Sequence, residues 1–310
     1  MLNGVVVIDK PAGKTSHDVV SDVKKILGIK KAGHTGTLDP LATGVLPVCL
    51  NEATKLVGFL TGEDKEYQAT MLLGVRTDTM DTEGKVISQS DPSISEDEIK
   101  SVVSRMTGKI QQIPPAYSAV KYCGKPSYKW ARSGVFIDLK PREVTIHSIA
   151  VESISLPTVT FRVTCSKGTY IRSLCSDIGD VLGTGACLSG LRRLKSGIFS
   201  EDRAVVLSDY ADGGKEALTK KILPMTELLP LLTSIELKGH LAAKLRNGWQ
   251  PSVEMLKEHD LPLLKAGDMV KFTSDGYLLA VAEMLDPVNH LSDFDGKTQA
   301  ARIVRVFNYQ

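Results

Sequence analysis

Residues 33–44 read Gly-His-Thr-Gly-Thr-Leu-Asp-Pro-Leu-Ala-Thr-Gly. The glycines at 33, 36 and 44, together with Pro40, exclude a continuous helix or a central strand, so the stretch reads as a tight loop. It carries one carboxylate, Asp39, and one imidazole, His34, and no other group that titrates near neutral pH. Glycine lets a backbone come close to a ligand, and loops on rigid scaffolds collect catalytic groups. Taken alone, Asp39-Pro40 also reads as an ordinary turn in which the aspartate bonds its own backbone.

Four more blocks surround this loop. Lys10-Pro11-Ala12-Gly13-Lys14-Thr15-Ser16-His17-Asp18 precedes it, and Pro114-Pro115-Ala116-Tyr117-Ser118-Ala119-Val120-Lys121 follows. Then come Ser166-Lys167-Gly168-Thr169-Tyr170-Ile171-Arg172-Ser173-Leu174 and Leu191-Arg192-Arg193. In identity and order, over roughly residues 4–200, they resemble the TruB-type tRNA pseudouridine synthases. Those enzymes isomerise the T-loop uridine at position 55.

Composition agrees with a soluble globular protein. The chain has 310 residues, 42% of them hydrophobic and 24% charged. That length predicts one large and one small domain. No apolar run reaches the ~20 residues that span a bilayer. Met1–Lys14 lacks a signal-peptide pattern, which predicts a cytoplasmic protein. The five cysteines (Cys49, Cys123, Cys165, Cys175, Cys187) are scattered without metal-ligand spacing, as expected of reduced, mostly buried thiols.

The net charge of +2 hides an uneven distribution. Residues 63–98 hold ten acidic and three basic groups, residues 109–145 seven basic and two acidic, and residues 162–195 six basic and two acidic. Either basic segment alone could be ordinary solvated surface. Interleaved with Tyr117, Tyr122, Tyr128 and Trp130, the first points toward RNA, because bases stack on such rings.

Periodicity places strands at Val5–Asp9, Val45–Leu50, Tyr67–Leu73 and Thr158–Cys165. Thr15 or Ser16 caps a helix to about Leu27, which Gly28 ends. Helices are also expected at Glu52–Leu60, from a Ser95/Glu98 capping box to about Met106, and at Thr169–Leu182. Without a regular β-α-β rhythm, the fold class is α+β with a mixed sheet. Residues 109–142, with a short helix near Ser127–Arg132, look like an insertion lying over the surface. The stretch 211–233 reads as a poor source of core and as a bridge between domains. Beyond it come a helix at Leu241–Leu245 and strands at Met269–Phe272, Tyr277–Met284 and Arg302–Phe307. Asp275-Gly276 signals a hairpin turn, and these short strands suggest a small β-barrel.

The resemblance adds expectations. It implies a catalytic domain over 1–228 whose insertion, about 109–142, is a thumb that grips the RNA arm through Lys125, Lys129 and Arg132. It also implies a PUA-like RNA-binding domain over 229–310. Asp39 would be the catalytic carboxylate, since a carboxylate can act as nucleophile at an anomeric carbon. Arg172 would hold it ionised and directed, although on residue type alone it reads as a surface helix arginine. Tyr67 would stack on the uracil and take the C5 proton, although it also fits an ordinary half-buried strand tyrosine. His34, Leu191, Tyr170 and Lys167 would contact the substrate, whereas Lys10 and His17 read as structural. Leu191 would be buried in either role. No cofactor is required, because nothing is oxidised and no group enters. The expected partner is the T stem-loop of tRNA, with no membrane, no obligate protein partner and a monomeric state. Competing readings are a guide-RNA-directed dyskerin-type enzyme, a non-catalytic tRNA-binding or tRNA-folding protein, and a small-molecule glycosidase. The last would normally need two carboxylates where the loop offers one.

Overall fold

The structure is a computed structural model that describes residues 2–210, 213–237, 240–257, 261, 263–285 and 295–309. Along the chain, β1 (Gly4–Lys10) leads into α1 (Ser16–Leu27). Thr15 caps α1: its hydroxyl accepts from the Asp18 amide and the Asp18 carboxylate accepts from the Thr15 amide. Gly28, at φ 65°, closes the other end. Then come β2 (Ala32–His34), β3 (Thr43–Leu50), α2 (Val57–Leu60), β4 (Lys65–Leu73) and the hairpin β5 (Val75–Thr77) and β6 (Val86–Gln89). α3 (Glu96–Arg105) starts at Ser95, whose hydroxyl accepts from the Glu98 amide, so one half of the expected capping box forms. β7 (Gly108–Gln112) precedes a small unit made of β8 (Lys121–Tyr122), β9 (Lys125–Pro126) and α4 (Ser127–Arg132). β10 (Arg142–Ser155), β11 (Thr158–Cys165), α5 (Ile171–Val181), β12 (Ala186–Ser196), β13 (Phe199–Ser200) and β14 (Val205–Val206) complete the first sheet.

That sheet has the order β14-β1-β3-β12-β4-β11-β10-β7, with β2 on β3 and β13 on β12. It is mixed: β1 pairs β14 in parallel and β12 pairs β3 in parallel, while the other neighbours are antiparallel. The sequence pattern explains which faces are covered. β1 is an unbroken apolar run because both its faces are buried. Val6 and Ile8 join α1, α3 and α5 in the main core, and Val5 and Val7 join a second core on the other face. β4 alternates, so Tyr67, Ala69 and Met71 face the helices while Glu66, Gln68 and Thr70 face outward.

Two expectations need correction. The supposed surface insertion begins too early, because residues 108–112 are the edge strand β7 and Arg142 already belongs to β10; the projecting part is 113–141. The segment read as poor in core supplies Leu218, Met225, Leu228 and Leu229, all buried. Its apolar residues are too few to show a helical or strand period, yet Leu218 joins the main core and the other three fill the space between two sheets (residues 211 and 212 lie outside the described ones). The C-terminal strands form the expected separate sheet domain, whose pairings among the described residues are those of four strands. After α6 (Lys215–Thr219), β15 (Thr233–Glu236) lies parallel to β16 (Met269–Ser274) in a four-stranded sheet that continues with β17 (Tyr277–Met284) and β18 (Ala301–Val306). α7 (His240–Arg246) and α8 (Val253–Lys257) pack against it. The β16–β17 turn has Asp275 at φ 50° and Gly276 at φ 77°, the two left-handed residues that a primed hairpin requires.

The second core joins both sheets. Leu278, Val281 and Phe307 pack with Val5, Val45, Leu56, Phe199 and Met225. Polar bonds cross the same seam: Lys55 Nζ donates to the Val306 carbonyl and the Asn308 amide donates to Glu52. No helix among the described residues is long and apolar enough to cross a membrane.

Candidate active site

The 33–44 loop begins and ends in strands, since His34 closes β2 and Thr43 opens β3. Gly44 serves the sheet rather than a ligand. At φ 96°, a Cβ there would collide with the Arg193 carbonyl, so glycine lets β3 run against β12. The Asp39-Pro40 turn forms, closed by the Ala42 amide donating to the Asp39 carbonyl at 3.0 Å. The backbone closes this turn, and the carboxylate points away to Arg172.

Arg172 is the centre of the cluster. It lies in the first turn of α5 with a side chain only 5% exposed, so the reading of a surface arginine fails. Its Nε lies 2.9 Å from Asp39 Oδ2. Nη1 donates to the Thr79 carbonyl at 3.0 Å and Nη2 to the Tyr117 carbonyl at 2.9 Å. Nη1 also lies 3.5 Å from Asp81 Oδ2. Both Nη atoms are thus hydrogen-bonded to carbonyls, which holds the guanidinium in one orientation, while Nε faces Asp39 at ion-pair distance without a hydrogen bond. Two carboxylates therefore flank Arg172, where the sequence reading offered one. Asp81 is buried, and its Oδ1 accepts from Thr79 Oγ1 and from the Glu83 amide. It braces Arg172, whereas Asp39, 37% exposed at its side chain, is the accessible acid. Burial raises the Asp39 carboxyl above its ordinary range, and the Arg172 charge opposes that rise. Asp81 escaped sequence reading because it is one of ten acidic groups in residues 63–98 and no motif sets it apart. The one local hint, Met80 at φ 62°, is a backbone property.

Tyr67 and Arg193 are cross-strand partners on β4 and β12. Tyr67 is buried; desolvation pushes its phenol up, and the Arg193 guanidinium pulls it back down. Arg193 is itself buried, donating from Nε to the Val45 carbonyl at 2.7 Å and from Nη2 to the Gly36 carbonyl at 3.1 Å. Lys10 is buried as well. Its ammonium donates to the carbonyls of Pro11, Lys14 and Pro40, tying the N-terminal motif to the residue after Asp39. Burial lowers it to about 8, with the Asp39 charge the largest opposing influence.

The remaining candidates divide. Tyr170 caps α5 beside Arg172, and its phenol is raised by burial and lowered by Ser118. Leu191 sits opposite Ala69 and lines a shallow depression with Leu41, Thr43 and Thr70. His34 is half-buried, its pKa lowered by burial and then by Arg193; its buried Nδ1 has no partner among the described residues. Lys167 is exposed and lies near Gly62 rather than near Asp39. Lys125, Lys129 and Arg132 are exposed on the projecting unit, remote in sequence from the pair. Lys125 Nζ stacks 5.2 Å from the Trp130 ring centroid and the Arg132 guanidinium 5.6 Å from that of Tyr128.

Comparison with known proteins gives this cluster its context. A sequence profile described as TruB family pseudouridylate synthase (N terminal domain) matches residues 24–171. One described as tRNA pseudouridylate synthase B C-terminal domain matches residues 172–230, so the two meet within α5. The chain is 53% identical over 309 residues to the tRNA pseudouridine synthase B of Syntrophus aciditrophicus (strain SB), covering 99% of each chain. It is 42% identical over 311 residues to the protein of the same name from Geobacter sulfurreducens, covering 99% of this chain and 100% of that one. Among solved structures, it superposes with a TM-score of 0.74, at 32% identity, on a chain of an H/ACA RNP bound to a substrate RNA containing 2'-deoxyuridine; 99% of this chain and 86% of that one are covered. With the ordered motifs and the Asp39–Arg172 pair, these matches establish that the chain belongs to the TruB family of pseudouridylate synthases.

Proposed function

We propose that this protein isomerises uridine to pseudouridine in the T loop of tRNA, at position 55. The carrying observation is the Asp39–Arg172 pair at 2.9 Å, with Asp39 the accessible member. The reaction breaks the C1′–N1 bond, turns the uracil and joins C1′ to C5, which then loses its proton. Atoms and electrons balance within the nucleotide, so no co-reactant enters. Asp39 acts on the ribose, by attack at C1′ or by removal of the C2′ proton, and both routes need it ionised. Arg172 supplies the positive charge that offsets its burial. Tyr67 offers a ring for stacking against the extruded base. Its phenol is protonated at neutral pH, so it takes the C5 proton only as the phenolate, which Arg193 stabilises, its own proton having passed to the uracil nitrogen freed when C1′–N1 breaks. Leu191 and Tyr170 wall the pocket. His34, neutral at pH 7 with a free buried nitrogen, meets the distorted loop.

Extruding a base costs a few kcal/mol. Stacking on an aromatic returns ~1–3 kcal/mol per base, and phosphate contacts from Lys125, Lys129, Arg132 and Lys167 add a salt-sensitive share. The same reading divides the chain into a catalytic domain to about residue 228 and an RNA-binding domain beyond it. It makes the enzyme a cytoplasmic monomer that needs no protein partner. The likeness to an H/ACA RNP chain keeps one rival in view, an enzyme directed by guide RNA. The small-molecule glycosidase loses support because the second carboxylate, Asp81, is buried beneath Arg172.

The test is to mix pure protein with an unmodified T stem-loop, without metal, cofactor or guide RNA, and analyse the nucleosides. Pseudouridine at the T-loop uridine is the expected product. Conversion only when guide RNA is added would replace this reading with the rival.

A further inference from the structure

Asp39 and Arg172 sit on two backbone segments, each gripped at the amide and the carbonyl of one residue by a single buried polar side chain from elsewhere in the chain. Ser16 Oγ donates to the Leu38 carbonyl at 3.0 Å and accepts from the Leu38 amide at 2.8 Å. Gln112 grips Tyr170 in the same manner: Nε2 donates to its carbonyl at 3.0 Å and Oε1 accepts from its amide at 2.7 Å. Both side chains are 2% exposed. Leu38 immediately precedes Asp39, and Tyr170 is two residues before Arg172.

Neither side chain is needed for an ordinary local purpose. The cap of α1 is already supplied by Thr15 and Asp18, which leaves the Ser16 hydroxyl free. Tyr170 caps α5 without a side-chain bond of its own, and Gln112, at the end of an edge strand, fills that role from 58 residues away. A residue bonded at both its amide and its carbonyl cannot swing either flanking peptide without breaking a buried hydrogen bond. Asp39 therefore inherits a fixed peptide plane on one side, and the helix start carrying Arg172 inherits another.

We propose that Ser16 and Gln112 are positioning residues that set Asp39 and Arg172 at ion-pair distance before RNA arrives, so that the chemical step depends on them and RNA capture does not. The inference rests on the reading of Asp39 as the carboxylate that acts on the ribose. Displacement of a reacting group by about 1 Å costs on the order of 100-fold in rate.

The test compares Ser16→Ala, Ser16→Thr, Gln112→Leu and Asp39→Asn, using single-turnover isomerisation of a T stem-loop, filter binding and thermal melting. Ser16→Ala and Gln112→Leu are each expected to lower kcat on the order of 10- to 100-fold, with KM and RNA affinity within about twofold. Ser16→Thr, which restores the hydroxyl, should recover most of the rate. In Ser16→Ala the acidic limb of kcat should move to higher pH, as Asp39 loses part of its cation. A folded Ser16→Ala with parent kcat, a loss confined to KM, or a Ser16→Thr no better than Ser16→Ala overturns the proposal. Should Ser16→Ala fail to fold, Ser16→Cys, of nearly the same size but a weaker hydrogen bonder, is read by the same criteria. A dead Asp39→Asn beside an undisturbed Ser16→Ala removes only the positioning role. An active Asp39→Asn removes the underlying reading of the site.

Discussion

The buried cluster around Arg172, here called the floor of the site, and the projecting 113–141 unit use the same residue types in opposite ways. On the floor, Arg172 is 5% exposed, and carbonyls of Thr79 and Tyr117 and carboxylates of Asp39 and Asp81 surround its guanidinium. In the projecting unit, Lys125 and Arg132 lie exposed over the rings of Trp130 and Tyr128. A buried charge costs several kcal/mol to leave unmatched, so its geometry is over-determined. An exposed cation over an aromatic ring gains about 0.5–1 kcal/mol, and can exchange that ring for a phosphate or a base. On the proposed function, the floor is organised in advance for chemistry, while the 113–141 unit is free to adapt to RNA. The two are also linked, because the root of the projecting unit is stitched to α5 by Gln112 on Tyr170, Ile113 on Ser173 and Tyr117 on Arg172.

Changes to the floor should strike rate, and changes to the projecting unit should strike affinity. The largest effect is expected from Asp39→Asn, with turnover lower by on the order of 1,000-fold or more and T-arm affinity nearly unchanged. Nucleoside analysis and filter binding measure the two, and near-parent turnover would break the contrast at its centre. Next comes Arg172→Ala, which strands two carboxylates. Removing one partner of a buried pair costs about 3–5 kcal/mol, readable by denaturant unfolding, and a loss under about 1 kcal/mol would mean that water reaches the site freely. Arg172→Lys keeps the charge without the fork and should fall between.

The pH profile sharpens the same side. Burial raises the Asp39 carboxyl and Arg172 opposes the rise. On the proposed mechanism the ionised acid is the active form, so kcat should climb with pH along an acidic limb placed above ~3.9, the value of a free aspartate. A limb at or below that value would contradict the burial of Asp39. On the other side, replacing Lys125, Lys129 and Arg132 together by alanine should weaken RNA binding and reduce the slope of log K against log salt by about 2, as expected for three single-strand phosphate contacts. kcat at saturating RNA should hold, and unchanged binding would detach this unit from RNA. The smallest effect is expected at Arg192, whose guanidinium pairs bidentately with Asp9 at 3.0 Å and reaches Glu201, on the far face of the sheet. Such a partly exposed pair is worth about 1 kcal/mol or less. Arg192→Gln should leave kcat at parent level in the same assay, and a tenfold loss would extend the sensitive floor through the sheet.

Elements governed by neighbours in the chain were readable from the residues. The span of α1 follows from Thr15, Asp18 and Gly28, and that of β11 from its alternating apolar residues. The 127–132 helix and the Asp275-Gly276 hairpin follow from equally local chemistry. The ends of α5 were less legible, because its first turn is capped from β7 rather than by its own residues. The core role of Met225, Leu228 and Leu229 could not be seen, because their partners lie in β1, β3 and β17.

The sequence motifs, through the family resemblance they carry, named which acid and which cation would meet, although residue type alone made Asp39 an ordinary turn aspartate and Arg172 a surface arginine. Only the tertiary structure decided what holds them in place. Asp81, Ser16, Gln112 and the buried Lys10 and Arg193 act across strand crossings, where the need of each buried polar atom for a partner selects the contact and separation along the chain leaves no trace.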